Sequence, residues 1–168
     1  TRHPGAQAKS VLRQGWQFPV EAYLDRTDIL EAAFSSEQIA QAQDIFAQGD
    51  PWQIAILDWV ITSHPLRNAK EPNVTRTSYE RIVTDPAAFI DTVLMDKCGL
   101  TERAAMEQAI LRPSGSSYLN TAAATHSIAA RDVDKMLNGW RLQTTVEELT
   151  YGQAILDRFE VDAYRFAD

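Results

Sequence analysis

The stretch DPWQIAILDWVITSHP, residues 50–65, decides the fold of this chain of 168 residues. Asp50 is a residue type that caps helices and Pro51 suits a first helical position, so the pattern predicts a helix that begins at Pro51. Apolar side chains occupy nearly every side of this helix, and a helix of that kind is buried all round. Pro65 is expected to end it, because the residue before a proline disfavours the helical conformation. We therefore predict a central buried helix at residues 51–63.

The residues before this helix predict two further helical segments. Pro19 suits a first helical position, and apolar side chains recur at helical spacing through residues 20–34. The sequence SSEQ that follows has the pattern of a capping box, in which Ser35 and Gln38 each bond to the other's backbone amide. Gly49 is expected to end the second segment, because glycine adopts the left-handed conformation without a side-chain clash.

The C-terminal half carries similar helix signals. Residues 84–99, TDPAAFIDTVLMDKCG, repeat the Asp-Pro opening and the glycine ending. Thr144 and Thr145 each lie three residues before a glutamate, which again indicates a capping box and predicts a last helix that runs to about Phe159. We expect five apolar side chains of this helix to point inward: Val146, Leu149, Ile155, Leu156 and Phe159.

No segment shows the alternation of a β-strand. We therefore predict an all-α, single-domain bundle of about six to eight helices around the helix at residues 51–63. Along the chain we distinguish a basic N-terminal arm at residues 1–17, a helical domain at residues 18–160 and a C-terminal tail at residues 161–168.

The charge of the chain is uneven and acidic overall. The formal net charge is −7, which disfavours nucleic acids and anionic membranes as partners. The first twenty residues carry three bases and no acid, whereas residues 21–50 carry seven acids against Arg26. No apolar run reaches the ~18 residues of a membrane span, and a single cysteine, Cys98, favours a reducing compartment. We expect a soluble, cytoplasmic protein without a membrane span.

Residues that carry chemistry are scattered. The three histidines, His3, His64 and His126, lie far apart in the sequence, and no Cys/His pairing accompanies Cys98. Metal sites need clusters of such ligands, and the glycine-containing loop PSGSS lacks the Lys-Ser/Thr pair of a phosphate-binding loop. We predict no catalytic residue, no metal and no cofactor, and we favour a protein that is not an enzyme.

The first functional hypothesis follows from charge and aromatic content. A basic arm that leads into an acidic body is suited to docking on an acidic partner, including another copy of the chain, and aromatic side chains anchor protein–protein contacts. We predict a non-catalytic helical subunit or adaptor that acts through protein–protein contacts within an oligomer or larger assembly. The expected contact residues are Arg2, Lys9, Arg13, Trp16, Phe18, Tyr164 and Phe166.

A second hypothesis concerns LNTAAATHSIAARDVDKMLNGW, residues 119–140. Ala123 provides a small residue where two helices would cross, and Ser127 is able to cap the second helix, so the spacing matches a DNA-reading helix-turn-helix over residues 119–137. The nucleic-acid contacts would be Ser127, Arg131 and Lys135. Asp132 and Asp134 oppose this hypothesis, because phosphates need cations. A third hypothesis is a helical enzyme or small-ligand carrier whose site is assembled from distant residues.

Overall fold

A computed structural model describes residues 1–68, 71, 74–110, 112 and 130–166, with the side chains of residues 67 and 68 outside the description. Ten α-helices occur in these residues: α1 Pro4–Arg13, α2 Val20–Leu24, α3 Thr27–Leu30, α4 Ser36–Gln48, α5 Pro51–Asn68, α6 Tyr79–Thr84, α7 Pro86–Phe89, α8 Arg103–Ile110, α9 Val133–Asn138 and α10 Val146–Arg158. About six of the ten are substantial, and no strand occurs in the described residues. The predicted all-α class is confirmed.

The chain divides into two compact units. Unit 1 comprises Thr1–Arg2 and Lys70–Gly139, and unit 2 comprises His3–Ala69 and Trp140–Asp168. The predicted arm, domain and tail boundaries at residues 17 and 160 remain a prediction.

Helix α5 is the centre of unit 2, as predicted. Helices α1, α2, α4 and α10 all pack against it. Its residues Ile56, Leu57, Trp59 and Val60 are fully shielded from solvent. Burial of side chains of this size stabilises a fold by about 1.5–3 kcal/mol each, so α5 is the main source of apolar stabilisation in this unit.

The helix ends in unit 2 follow the local signals. Ser35 and Gln38 form the predicted capping box, and the carboxylate of Asp50 accepts a hydrogen bond from the amide of Gln53 at 2.8 Å. Gly49 adopts the left-handed conformation with φ of 72°. The prediction for Pro65 was wrong, because α5 continues through it to Asn68. A proline inside a helix removes one hydrogen bond to the carbonyl four residues earlier, and a position near the end of a helix tolerates that loss.

In the described residues of unit 1, the buried side chains come from one helical segment, α7 and the turn that follows it. Asp85 caps α7 through the amide of Ala88, and the helix then widens into a π-helical turn at Ile90–Met95. The chain leaves this segment at Gly99, whose φ of 70° is left-handed. Phe89, Ile90 and Val93 are buried, as the helical spacing predicts. Asp91 in the π-helical turn forms an ion pair with Arg103 of α8, which connects the two helices.

Candidate interaction surface

Six aromatic rings of unit 2 form a connected cluster that we call the aromatic cluster. The ring of His3 stacks on Trp140 at a centroid distance of 4.6 Å and meets Tyr164 and Phe166 edge-on. Trp52 and Trp59, on the same face of α5, contact Phe166 and Tyr164 respectively. The members are His3, Trp52, Trp59, Trp140, Tyr164 and Phe166. This cluster joins α1, α5 and the C-terminal residues of the unit.

The hydrogen bonds of His3 fix its orientation. Its Nδ1 accepts a hydrogen bond from the amide of Gly5 at 3.1 Å, and its Nε2 lies 3.0 Å from the carbonyl oxygen of Arg165. An imidazole that accepts at Nδ1 and faces a carbonyl with Nε2 is neutral and carries its proton on Nε2. His3 is therefore a structural histidine that caps α1 and holds the C-terminal residues.

Two glycines make the aromatic cluster possible. A Cβ atom on Gly152 would lie 2.6 Å from Cζ of Phe166, and one on Gly5 would lie 2.5 Å from Cζ3 of Trp140. Both distances are far below van der Waals contact. The side chain of Phe166 is only 1% exposed as a result of this close packing. Phe166 thus packs inside the unit. We predicted it as a contact residue, but its side chain leaves almost no surface exposed for a partner.

Lys9 is also engaged inside unit 2. Its Nζ lies 2.7 and 2.8 Å from the two carboxylate oxygens of Glu148 and 4.8 Å from the centroid of the Trp52 ring. The indole of Trp52 donates a hydrogen bond to the backbone carbonyl of Glu148 at 2.7 Å. Glu148 also completes the capping box of α10 with Thr145. These contacts connect α1, α5 and α10.

The ionisation of Glu148 is adjusted by these neighbours. Burial alone would raise the pKa of Glu148, but the hydrogen bonds from Lys9 and from the Thr145 amide outweigh burial and lower the pKa below its usual range. The carboxylate is therefore charged in the folded state at neutral pH. Among the basic residues of the predicted arm, Lys9 is therefore bound to residues of its own chain and stabilises the fold.

The remaining predicted contact residues near the N-terminus differ in their surroundings. Arg2 belongs to unit 1, where its guanidinium lies 4.6 Å from the centroid of the Tyr79 ring. In unit 2, Arg13 is exposed at the end of α1 and Phe18 is half-buried against the core. Tyr164 is half-buried in the aromatic cluster. Their part in an interface remains a prediction.

Trp16 is the most exposed of the four aromatic side chains that we predicted as contact residues. Helix α1 ends in a Schellman motif. The amide of Trp16 donates a hydrogen bond to the carbonyl oxygen of Val11 at 3.3 Å, and the amide of Gly15 donates one to the carbonyl oxygen of Leu12 at 3.1 Å. Gly15 adopts a φ of 65°. This backbone holds the indole of Trp16 with 53% of its surface exposed.

Leu142 and Val146 are two strongly exposed apolar side chains, four residues apart, that the sequence did not reveal; we call them the exposed pair. Leu142 is 90% exposed in a short 3-10 turn, and Val146 is 79% exposed as the first residue of α10. The prediction that Val146 points inward was wrong, because the buried stripe of α10 starts one turn later, with Leu149 against the core and Ile155 and Leu156 inside it. The backbone changes from a 3-10 turn to the extended residues Thr144 and Thr145 and then to a helix. Because no single periodicity covers this stretch, a sequence pattern does not predict that both side chains are exposed.

The helix-turn-helix prediction falls largely on residues outside the description. Ser127 and Ala123 lie there. In the described part, Ala130 and Arg131 form a turn, Arg131 has a left-handed φ of 52°, and α9 begins only at Val133 with Asp132 as its cap. Lys135 is paired with Asp132 at 2.9 Å. Arg131 thus precedes the helix instead of lying on it, and nucleic-acid binding remains a prediction.

Asp58 is a second residue that sequence reasoning did not single out. It lies in the apolar run of α5 and is 9% exposed, and its Oδ1 has no hydrogen-bond partner among the described residues. Burial raises the pKa of the Asp58 carboxyl. A lone aspartate inside an otherwise apolar helix was the available signal.

Every helix in the described residues is too short or too polar to cross a lipid bilayer. The histidine, cysteine and carboxylate side chains of the same residues do not come together in groups of three at metal-binding distances. Comparison of the chain with protein-family models, with curated proteins and with solved structures found no match.

Proposed function

We propose that this chain is a non-catalytic helical subunit or adaptor that acts through protein–protein contacts within an oligomer or larger assembly. The observation that carries the proposal is the exposure of Leu142 and Val146, at 90% and 79%, which is the highest among the large apolar side chains of the described residues. Apolar side chains gather at the centres of protein interfaces, where contact with a partner removes them from water.

The energetics favour such a contact. Burial of one leucine or valine side chain contributes about 1.5–3 kcal/mol, and a partner that covers both side chains gains that contribution twice. The capping box of Thr145 and Glu148 and the ion pair to Lys9 fix the backbone of α10 next to the pair. A fixed backbone reduces the conformational entropy that binding would otherwise cost.

Trp16 and Arg13 provide a second, smaller contribution. Tryptophan and arginine are the residue types most enriched among the side chains that dominate binding energy. Trp16 is half exposed on the rigid turn that ends α1, and Arg13 is exposed three residues before it. We include both in the contact surface of unit 2.

Light scattering coupled to size exclusion over a range of protein concentrations tests the proposal. We expect a mass above that of one 18.8 kDa chain, or a stable complex with a partner protein, and we expect the double variant Leu142→Ser/Val146→Thr to lose it. The matched control is Gln43→Ser/Ala47→Ser, which changes two exposed positions of α4. An assembly that both double variants retain equally would contradict the role of the exposed pair.

A further inference from the structure

Asp58 is placed where a carboxylate is costly. Its neighbours in the chain, Leu57 and Trp59, are fully buried in the core of unit 2. Oδ1 of Asp58 makes no hydrogen bond with the described residues. An ionised carboxylate that leaves water without such bonds loses far more free energy than a neutral carboxylic acid does.

On the four helices that pack against α5, the charged side chains that the structure describes are either paired with each other or exposed. Of the charged groups on the four helices that pack against α5, Lys9 and Glu148 pair with each other at 2.7 Å. The others on these helices are exposed: Arg13, Glu21, Glu37, Asp44, Glu147, Asp157 and Arg158. Burial is the cause of the raised pKa of Asp58.

We propose that Asp58 is a pH sensor built into the core of unit 2: loss of the proton from its buried carboxyl group weakens the packing around α5. Acid therefore stabilises unit 2 through Asp58, and rising pH destabilises it. This is opposite to the usual behaviour of a carboxylate held by a cation, of which Glu148 in the same unit is an example.

The direction follows from proton linkage. The unfolded chain releases the Asp58 proton near the ordinary value of about 3.9, whereas the folded chain holds it to a higher pH because its pKa is raised. Between these two values the folded state binds more protons than the unfolded state. The folding equilibrium constant then falls by up to about tenfold for each pH unit.

Urea unfolding followed by tryptophan fluorescence measures this effect in the right unit, because all four tryptophans belong to unit 2. Wild type and Asp58→Asn are compared from about pH 4 to about pH 8. We expect wild type to lose stability relative to Asp58→Asn as the pH rises through this window. The control, Asp44→Asn on the exposed side of α4, should run parallel to wild type. Parallel profiles for wild type and Asp58→Asn would overturn the proposal.

A second measurement does not depend on the folding of a variant. Carbon NMR of wild type labelled at the aspartate carboxyl carbons follows each titration in the folded protein. We expect one aspartate to titrate at a higher pH than the rest. A spectrum in which every aspartate carboxyl titrates in the ordinary range would overturn the proposal, whatever the variant shows. Because neither readout involves association, the outcome is independent of the function proposed above.

Discussion

Units 1 and 2 are both helical in the residues that the structure describes, but they differ in how charge and bulky side chains are distributed. Unit 2 holds all four tryptophans and carries fourteen acids against seven bases, so the whole net charge of −7 belongs to it. Unit 1 balances nine acids against nine bases. In the described residues, the core of unit 2 draws on many helices, whereas the buried side chains of unit 1, Phe89, Ile90 and Val93, come from one helical segment. The apolar pair and Asp58 both belong to the acidic, densely packed unit.

The largest expected effect is on the core around α5. Leu57→Ala removes a fully buried side chain, and truncations of this kind cost about 2–5 kcal/mol of folding free energy. Urea unfolding by tryptophan fluorescence measures the loss. The control is Ile29→Ala in the same unit, where the isoleucine is half exposed and its truncation should have a smaller effect. A small loss for Leu57→Ala would contradict the central place of α5.

The close packing of the aromatic cluster gives the next effect. Gly152→Ala forces a methyl group against the ring of Phe166, and overpacking of this kind costs about 1–3 kcal/mol. Adding Phe166→Leu gives the new methyl group room, so the double variant should lose less stability than the two single losses predict together. Losses that simply add would show that the glycine and the ring do not oppose each other.

The ion pair of unit 2 should have a smaller effect that depends on pH. Lys9→Met removes two charge-assisted hydrogen bonds to Glu148 and the contact with Trp52, at a cost of about 1–2 kcal/mol at neutral pH. Because the pKa of Glu148 is lowered in the folded state, this stabilisation is present above the ordinary glutamate value of about 4.3 and is lost as the pH falls below it. Thermal unfolding of wild type and Lys9→Met should therefore converge in acid.

A control for the ion pair is available on the surface of the same unit. Arg26→Met breaks an exposed pair with Asp28 and should leave the unfolding midpoint unchanged. Equal losses for Lys9→Met and Arg26→Met would mean that burial adds nothing to the Lys9 pair.

The smallest effect on stability is expected at the exposed pair. Leu142→Ser/Val146→Thr removes side chains that contact mostly water, so folding free energy should change by no more than about 0.5 kcal/mol. Urea unfolding checks this. A clearly larger loss would show that the pair packs within its own chain, and the argument for a partner would fail.

Local signals in the sequence predicted much of this fold. The two capping boxes each join residues only three positions apart, so they can be predicted without knowing the tertiary structure. They are formed by Ser35 with Gln38 and by Thr145 with Glu148. Apolar side chains on nearly every side of α5 predicted its central place for a similar reason, because only a core can cover such a helix.

What the sequence did not reveal depends on distant parts of the chain. From the sequence, Lys9 was predicted to be available to a partner. In the fold it pairs with Glu148, which lies far away in the sequence. Phe166 was predicted to be an exposed contact residue. In the fold its ring is buried, because Gly152 leaves the space that the ring occupies. In the sequence, Leu142 and Val146 look like ordinary apolar residues. Their exposure depends on which neighbouring helices cover them, and this information is not contained in the local sequence.

Site-specific photocrosslinking from position 142 tests the proposed function most directly. Leu142 is replaced by a photoreactive phenylalanine analogue, with Gln43 on α4 as the control position, and the crosslinked peptides are identified by mass spectrometry after irradiation in cells. We predict that position 142 crosslinks to a defined segment of a protein, either a second copy or another chain, and that position 43 does not. An absence of crosslinked peptides from position 142 would contradict the claim that unit 2 acts through its exposed apolar pair.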